Sequence, residues 1–282
     1  MRTLIKSRAW YKFSRNKLST VGLVLVAGFV FLAVFAPLIT PFPEHVGTFV
    51  DFRNASAPPN ATYWLGTDVN GRDVFTRVVF GYQVSLQIGL VVLAICVPIG
   101  VTLGLVAGYF GGWIDTIIMR VTDVFLSLPP LVLALAIMGF LEPTLTNAMI
   151  AISAMWWPWY TRLIYNITRA LKHEGYVVAA EVVGASQVHV LAREILPNCV
   201  PSLLTKMTLD LGFVILIASS LGFLGLGVQP PTPELGSMVA DGARFLPNNW
   251  WVPVFSGLAI LVAVLGFNLL GDGLRDLLDV DL

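Results

Sequence analysis

The sequence predicts an all-α polytopic membrane protein with six transmembrane helices. Three observations carry that expectation. Hydrophobic residues make up 56% of the 282 and charged residues only 12%, against about 25% charged in soluble domains. The mean hydropathy is +0.80. No Asp, Glu, Lys or Arg occurs from Leu18 to Pro43, Val78 to Ile114, Val124 to Leu141, Pro143 to Thr161, Leu211 to Pro233 or Phe245 to Gly271. Each run is close to or above the ~18–20 residues that cross the hydrocarbon. The crossings fall at 19–40, 84–108, 117–141, 144–161, 210–228 and 251–270.

Residues 1–18 form a basic segment with Arg2, Lys6, Arg8, Lys12, Arg15 and Lys17 and no acid. Leu4, Ile5, Trp10 and Phe13 suit it to the inner headgroups. The apolar run after it exceeds the 7–15 residues of a signal-peptide core and ends in Pro37, Pro41 and Pro43, so it reads as a retained first crossing. Placing this segment inside, with Arg120, Arg162, Arg169, Lys172, Arg193, Lys206 and Arg275, leaves Arg53, Arg72, Arg77 and Arg244 outside. The positive-inside rule then puts both termini in the cytoplasm. The tail, 271–282, carries Asp272, Asp276, Asp279 and Asp281, which count little in that rule.

The outer segment 41–83 is rich in Pro, Gly and Asn and closes on GTD and GRD, Gly66–Asp68 and Gly71–Asp73. Asx side chains there suit tight turns held by a salt link. Asp68, Arg72 and Asp73 as a metal or substrate site fit the residues less well. The second crossing places Gly100, Gly104 and Gly108 at spacing four, a bare face where another helix can approach. Trp113 is an interface anchor. Asp115, Arg120 and Asp123 open the third crossing, where Arg120 and Asp123 at i,i+3 are expected to neutralise each other. The fourth crossing closes on WWPWYTR, Trp156–Arg162. Gly222, Gly225 and Gly227 imitate a dinucleotide fingerprint, but no strand precedes them and no acid follows about 20 residues on. Cys96 and Cys199 make no metal or redox spacing. His45, His173 and His189 form no ligand cluster.

Between the fourth and fifth crossings lie 23 residues too polar for a bilayer, Tyr176–Asn198. Val188, Leu191, Ala192 and Ile195 recur at i, i+3, i+4 and i+7 as an apolar helical stripe. Gln187, Arg193 and Glu194 fall off it. Ala179, Ala180, Val183 and Gly184 form a small-residue patch. Gly184 permits a bend, Ser186 is placed to cap a second helix, and Pro197 is expected to end it. Two short helices joined at a glycine should stand on one face of the membrane, either as an amphipathic connector at the headgroups or as a docking element.

This stretch resembles the EAA coupling loop of ABC-importer permeases, with Tyr-Val-x-Ala-Ala at Tyr176–Ala180, Gly-Ala-Ser at Gly184–Ser186 and Leu-Pro-Asn at Leu196–Asn198. The likeness extends to AGYFGGW (Ala107–Trp113), Met119–Asp123, WPWYTR (Trp157–Arg162), Leu221–Gly236 and Phe267–Asp279. Together these resemble the dipeptide/oligopeptide/nickel permeases of bacterial importers, C-type subunit, over the whole chain. The resemblance implies a type I importer permease fold in the bacterial inner membrane. It implies a homologous B-type permease partner, two cytoplasmic ATPase subunits and an extracytoplasmic solute-binding protein, with no nucleic acid. The coupling loop would span 162–209 within a core of 84–270. Tyr176, Val177, Ala179, Ala180, Glu181, Gly184, Ala185, Ser186, Val188, Leu191, Arg193, Glu194 and Pro197 would meet the ATPase. Glu194 stands where many relatives carry His, Glu181 where a basic residue is common, and Glu142-Pro143 where Gly-Pro is frequent.

No Gly-x-x-x-x-Gly-Lys-Ser/Thr loop and no catalytic constellation occur, so the chain reads as a non-catalytic transport subunit without a metal or cofactor of its own, and ATP and Mg belong to partner subunits. Short peptides are the expected cargo, with nickel, glutathione or opine-like solutes as alternatives. A self-sufficient secondary transporter or channel would keep ionisable groups deep in its spans. Beyond edge residues none is evident, nor is a His pair for a haem-bearing redox anchor.

Overall fold

The computed structural model describes residues 16–278, so the basic segment through Arg15 and the acids Asp279 and Asp281 lie outside the described residues. Most of the described residues are helical, and among them an isolated bridge between Thr67 and Asp73 is the extended pairing. In chain order the α-helices are α1 Lys17–Val34, α2 Ala36–Ile39, α3 Val74–Phe110, α4 Gly112–Leu126, α5 Pro130–Met138, α6 Leu145–Leu171, α7 Gly175–Val182, α8 Gln187–His189, α9 Leu196–Phe223, α10 Leu235–Ala243 and α11 Trp251–Leu278. A π turn, Val190–Ile195, joins α8 to α9.

Among the described residues four helical segments are long and apolar enough to cross a membrane: 17–34, 74–110, 187–223 and 251–278. α4 and α5, bent by 87° at a short break, make a fifth if they act as one span. The expected fourth crossing is α6, whose 27 residues are long enough. Asn147, the tryptophans, Pro158 and Arg162 lower its hydropathy. Thirteen of its residues are buried against other helices, so it lies inside the bundle and need not match lipid.

Several boundaries differ from the sequence reading. The first crossing, expected as one run over 19–40, breaks at Phe35 because Pro37, in the first turn of α2, cannot donate back into α1. The second begins at Val74 and not at 84. Asp73 caps it by accepting from Thr76 N at 2.8 Å, and Arg77, which looked like a boundary charge, is buried within the helix at 5% exposure. The third, expected over 117–141, turns at Ser127–Pro129. The fifth lies within the helical segment 187–223 and does not wait until 210; its α-helix starts at Leu196, directly after the π turn, with Pro197 in the first turn. Pro197 therefore begins a helix and does not end one. The sixth continues to Leu278.

α3 and α6 form the most extensive helix pair. Gly100, Gly104 and Gly108 are the reason: a Cβ on Gly104 would come within 2.7 Å of the Thr161 carbonyl, and one on Gly108 within 2.8 Å of Thr168 Cβ. α1 runs along α11, with Gly266 against Leu25, Phe29 edge-on to Phe267, and Asn16 Nδ2 donating to Asp276 at 3.3 Å. This brings the start of α1, the ends of α3, α6 and α11, and α7 to one end of the bundle. At the other end the GTD…GRD segment folds as turns. Asp68 accepts from the Asn70 and Arg72 amides at 2.9 and 3.0 Å and from Arg72 Nε at 2.8 Å, and Trp251 Nε1 donates to the Thr67 carbonyl at 3.0 Å.

Outward-facing large apolar side chains such as Phe31, Leu90, Phe213 and Leu261 would be costly in water, but lipid tails are equally apolar. Cys96 and Cys199 are free and buried.

Candidate functional site

At the end of the bundle where α3 and α6 finish, the segment 172–199 folds into the expected pair of short helices. The mechanism of the bend is explicit. α7 ends in a Schellman motif: Ala185 N donates to the Ala180 carbonyl and Gly184 N to the Glu181 carbonyl, both at 3.0 Å. Gly184 takes φ +91°, a conformation that penalises any Cβ. Ser186 then caps α8 by accepting from His189 N at 3.3 Å.

The second helix differs from the sequence reading. The stripe Val188, Leu191, Ala192, Ile195 assumes 3.6 residues per turn, but the π turn Val190–Ile195 widens the spacing. The buried residues are Val190, Ile195 and Cys199, each at 0% exposure, with Leu191 half-buried. Val188 is 75% exposed and Ala192 faces outward.

Val177, also fully buried, joins Val190 and Ile195 against Leu105, Tyr109 and Ile164 of the bundle. Ala180 and Ala185 lie half-buried at the edge of this cluster. The opposite surface is apolar and uncovered. Val182, Val183 and Val188 are 81, 88 and 75% exposed, and Tyr176 and Val178 are also exposed. Ala179, Gly184 and Arg193 lie on the exposed surface, as does Pro197. His189 Nε2 lies 3.9 Å from Glu194, and Asn198 Nδ2 donates to the Tyr176 hydroxyl at 3.2 Å.

Glu181 is exposed too, but its carboxylate reaches back to the bundle and accepts the Tyr109 hydroxyl at 2.6 Å. Lys172 Nζ donates to the Tyr109 carbonyl at 2.6 Å. Around the same end Asp115 accepts from the Tyr165 hydroxyl at 3.1 Å, and Arg169 donates to that hydroxyl at 3.1 Å. Asp123 pairs with Arg162 of α6 and not with Arg120, which is exposed. The local i,i+3 expectation fails because α4 leans against α6.

Sequence reasoning singled out this segment but missed the exposed Val182 and the buried anchor Val190. A hydrophobic residue among hydrophobic residues carries no signal for either role without knowledge of the π turn. The spans were also expected to hold no deep ionisable group. Because α9 begins early, Asp210 lies midway along it, 3% exposed, and is compensated by Lys206 Nζ at 3.0 Å on the same helix. Among the described residues no set of three His, Cys, Asp or Glu is placed to hold a metal.

Residues 100–282 match the family described as binding-protein-dependent transport system inner membrane component, and residues 6–59 match the N-terminal TM domain of oligopeptide transport permease C. The chain is 42% identical to the dipeptide transport system permease protein DppC of Alkalihalophilus pseudofirmus, over 96% of this chain and 88% of that protein. It is 43% identical to the probable D,D-dipeptide transport system permease protein DdpC of Escherichia coli, over 94% and 88%. The glutathione transport system permease protein GsiD of Pectobacterium atrosepticum is 37% identical, over 96% and 89%. The fold is similar to a chain of the MetNI methionine ABC transporter in inward-facing conformations, with a TM-score of 0.53 at 21% identity, covering 71% of this chain and 96% of that one.

Proposed function

The chain belongs to the binding-protein-dependent transport system inner membrane components, as a C-type permease of the dipeptide/oligopeptide/nickel group, and we propose that it forms half of a peptide-translocation pathway driven through Tyr176–Asn198. It is a permease subunit of a bacterial ABC importer and catalyses no reaction itself. Under this reading a B-type permease, two ATPase subunits holding ATP and Mg, and an extracytoplasmic binding protein complete the machine. The end of the bundle carrying α7 and α8 faces the cytoplasm, as the Lys/Arg distribution favours.

One observation carries the coupling role: an apolar surface of Val182, Val183 and Val188 stands uncovered at the end of the bundle, on helices fixed to the core from behind. Apolar patches of this kind mark contact sites. Rigidity matters because driving a two-state permease from 1:99 to 99:1 takes about 5.5 kcal/mol of differential binding. A frayed loop would dissipate such work. Here the Schellman motif, the Ser186 cap and the buried Val177, Val190 and Ile195 hold the pair as one lever.

Ala179, Ala180, Gly184, Ala185, Val188, Leu191, Arg193 and Glu194 are assigned to the ATPase-facing unit. Pro197 starts α9 behind it. Short peptides are the proposed cargo, since the similar permeases named above serve dipeptide and glutathione systems, and glutathione is itself a small peptide.

The test is co-purification in mild detergent with uptake of a labelled dipeptide. Gly184→Trp should insert normally yet lose the ATPase subunits and uptake. Full ATPase retention and uptake by that variant would overturn the coupling role. Uptake of nickel without dipeptide would overturn the cargo.

A further inference from the structure

We propose that Tyr109 is the pivot through which the coupling helix moves the membrane bundle, and that Glu181, an exposed residue whose Oε1 reaches back to Tyr109, acts as a positioning residue and not as an ATPase contact. The inference rests on the coupling reading above. Tyr109 is the penultimate residue of α3 and is 7% exposed. Its hydroxyl donates to Glu181 Oε1 at 2.6 Å, which ties α7 to α3. Its carbonyl, one of the last four of the helix and without an intrahelical donor, accepts from Lys172 Nζ at 2.6 Å. That ammonium also lies 5.4 Å from the centroid of the Tyr109 ring. Lys172 caps α6. One tyrosine therefore holds the ends of α3 and α6 and the body of α7.

The chemistry favours a deliberate attachment. Glu181 occupies the last turn of α7, where the helix dipole disfavours a negative charge. A phenolic donor at 2.6 Å is a short, charge-assisted partner that compensates there. Immediately along α3, Gly108 leaves no room for a Cβ against the Thr168 side chain and the Tyr165 carbonyl, so α3 and α6 cannot slide independently at this level. Any displacement of α7 must either carry α3 and α6 with it or break the Tyr109–Glu181 bond.

The importer assembled with its partner permease and ATPase subunits in nanodiscs provides the test, with Mg-ADP trapped by vanadate after hydrolysis of added ATP as the probe and no cargo required. The readout is deuterium uptake of α10, at the far end of the bundle, with and without trapping. In the wild type trapping should change that uptake. Tyr109→Phe and Glu181→Ala should each shrink the change at least fivefold, the double variant should be no worse than either single one, and Glu181→Gln, which keeps an acceptor, should retain most of the response. ATPase co-purification should stay intact in all of them.

A wild-type response in either Tyr109→Phe or Glu181→Ala overturns the pivot while leaving the coupling reading standing. Loss of ATPase subunits in Glu181→Ala alone makes Glu181 an ATPase contact and also overturns it. No response in the wild type, with ATPase bound, defeats the coupling reading itself and the pivot with it.

Discussion

The Glu234 carboxylate fills the space that a side chain on Gly222 would occupy, so the glycine in α9 makes room for a buried acid from the following loop. Glu234 is 2% exposed and caps α10 by accepting from the Gly236 and Ser237 amides at 2.8 and 2.7 Å. Burial pushes its pKa up to about 7, against the opposing pull of those two amides.

A stability trend with pH follows from Glu234. The folded protein keeps this proton to about pH 7, whereas the unfolded chain releases it near 4.5. Folding therefore binds a proton in that window. The contribution is complete below the unfolded value and is lost as pH rises through the folded one. Its size is on the order of 3 kcal/mol. Thermal unfolding of the detergent-solubilised protein should show Tm falling from about pH 5 to pH 8, and Glu234→Gln should flatten that slope. An unchanged slope in the variant would place the titration elsewhere.

His45 gives the opposite dependence. It is 2% exposed, stacked against Phe42 and Phe49 with centroids 4.9 and 4.0 Å away, and its Nδ1 accepts from Asp73 N at 2.8 Å. Burial holds its pKa below the usual 6.5, while Glu44, Asp73, Asp68 and Asp51 pull it upward. The unfolded chain therefore takes up the proton first. The contribution is present above 6.5 and is lost as pH falls through the lowered value. Protonation would also set Nδ1–H against the Asp73 N–H that it now accepts. Deuterium exchange at residues 43–73 should accelerate on acidification, and His45→Asn, which keeps an acceptor, should remove that acceleration. His45→Phe leaves the amide unsatisfied and should cost about 1–3 kcal/mol at any pH.

Gly104 offers a packing test. Its missing side chain is replaced by Thr161 O, Ile164 Cβ and Tyr165 N, at 2.7, 2.8 and 2.9 Å from where a Cβ would stand. Two of those atoms are backbone and cannot rotate away. Gly104→Leu should force α3 from α6, at a cost of about 1–3 kcal/mol or more. Gly28→Leu on α1, where nothing lies within 4 Å of the added Cβ, should be tolerated. Equal Tm values for the two variants would contradict the close approach.

How far the sequence disclosed this arrangement depended on whether the deciding interaction was local. The uncharged runs located the bundle, the Gly100–Gly104–Gly108 spacing marked a face for close approach without naming α6 as the partner, and Gly184 with Ser186 marked the bend, because a positive φ and a cap each act within a few residues. Arg77 misled because its burial depends on Asp68 and on the carbonyls of His45 and Pro231, the last 154 positions away. Asp123 was matched with Arg120, three residues off, when its partner Arg162 is 39 positions along. Glu181 carried no sign that it would meet Tyr109. The stripe 188–195 failed for a different reason: a single π turn alters the period on which any helical reading depends.

That π turn separates the residues that anchor the short helices from those on their exposed surface, where the proposed coupling would act. Val190 and Val188 are two residues apart and chemically identical, yet one is fully buried and the other 75% exposed. Val190→Ser would place a hydroxyl among Leu105, Val177 and Ile195 and remove apolar contact, so it should destabilise the protein by about 1–3 kcal/mol. Val188→Ser removes nothing from the core and should leave Tm unchanged while weakening ATPase co-purification. A regular α-helix predicts the reverse, with Val188 on the buried stripe and Val190 turned away. Measuring Tm and bound ATPase for both variants decides between the two registers. A large Tm loss in Val188→Ser would restore the 3.6-residue stripe and remove the exposed valine surface on which the docking proposal stands.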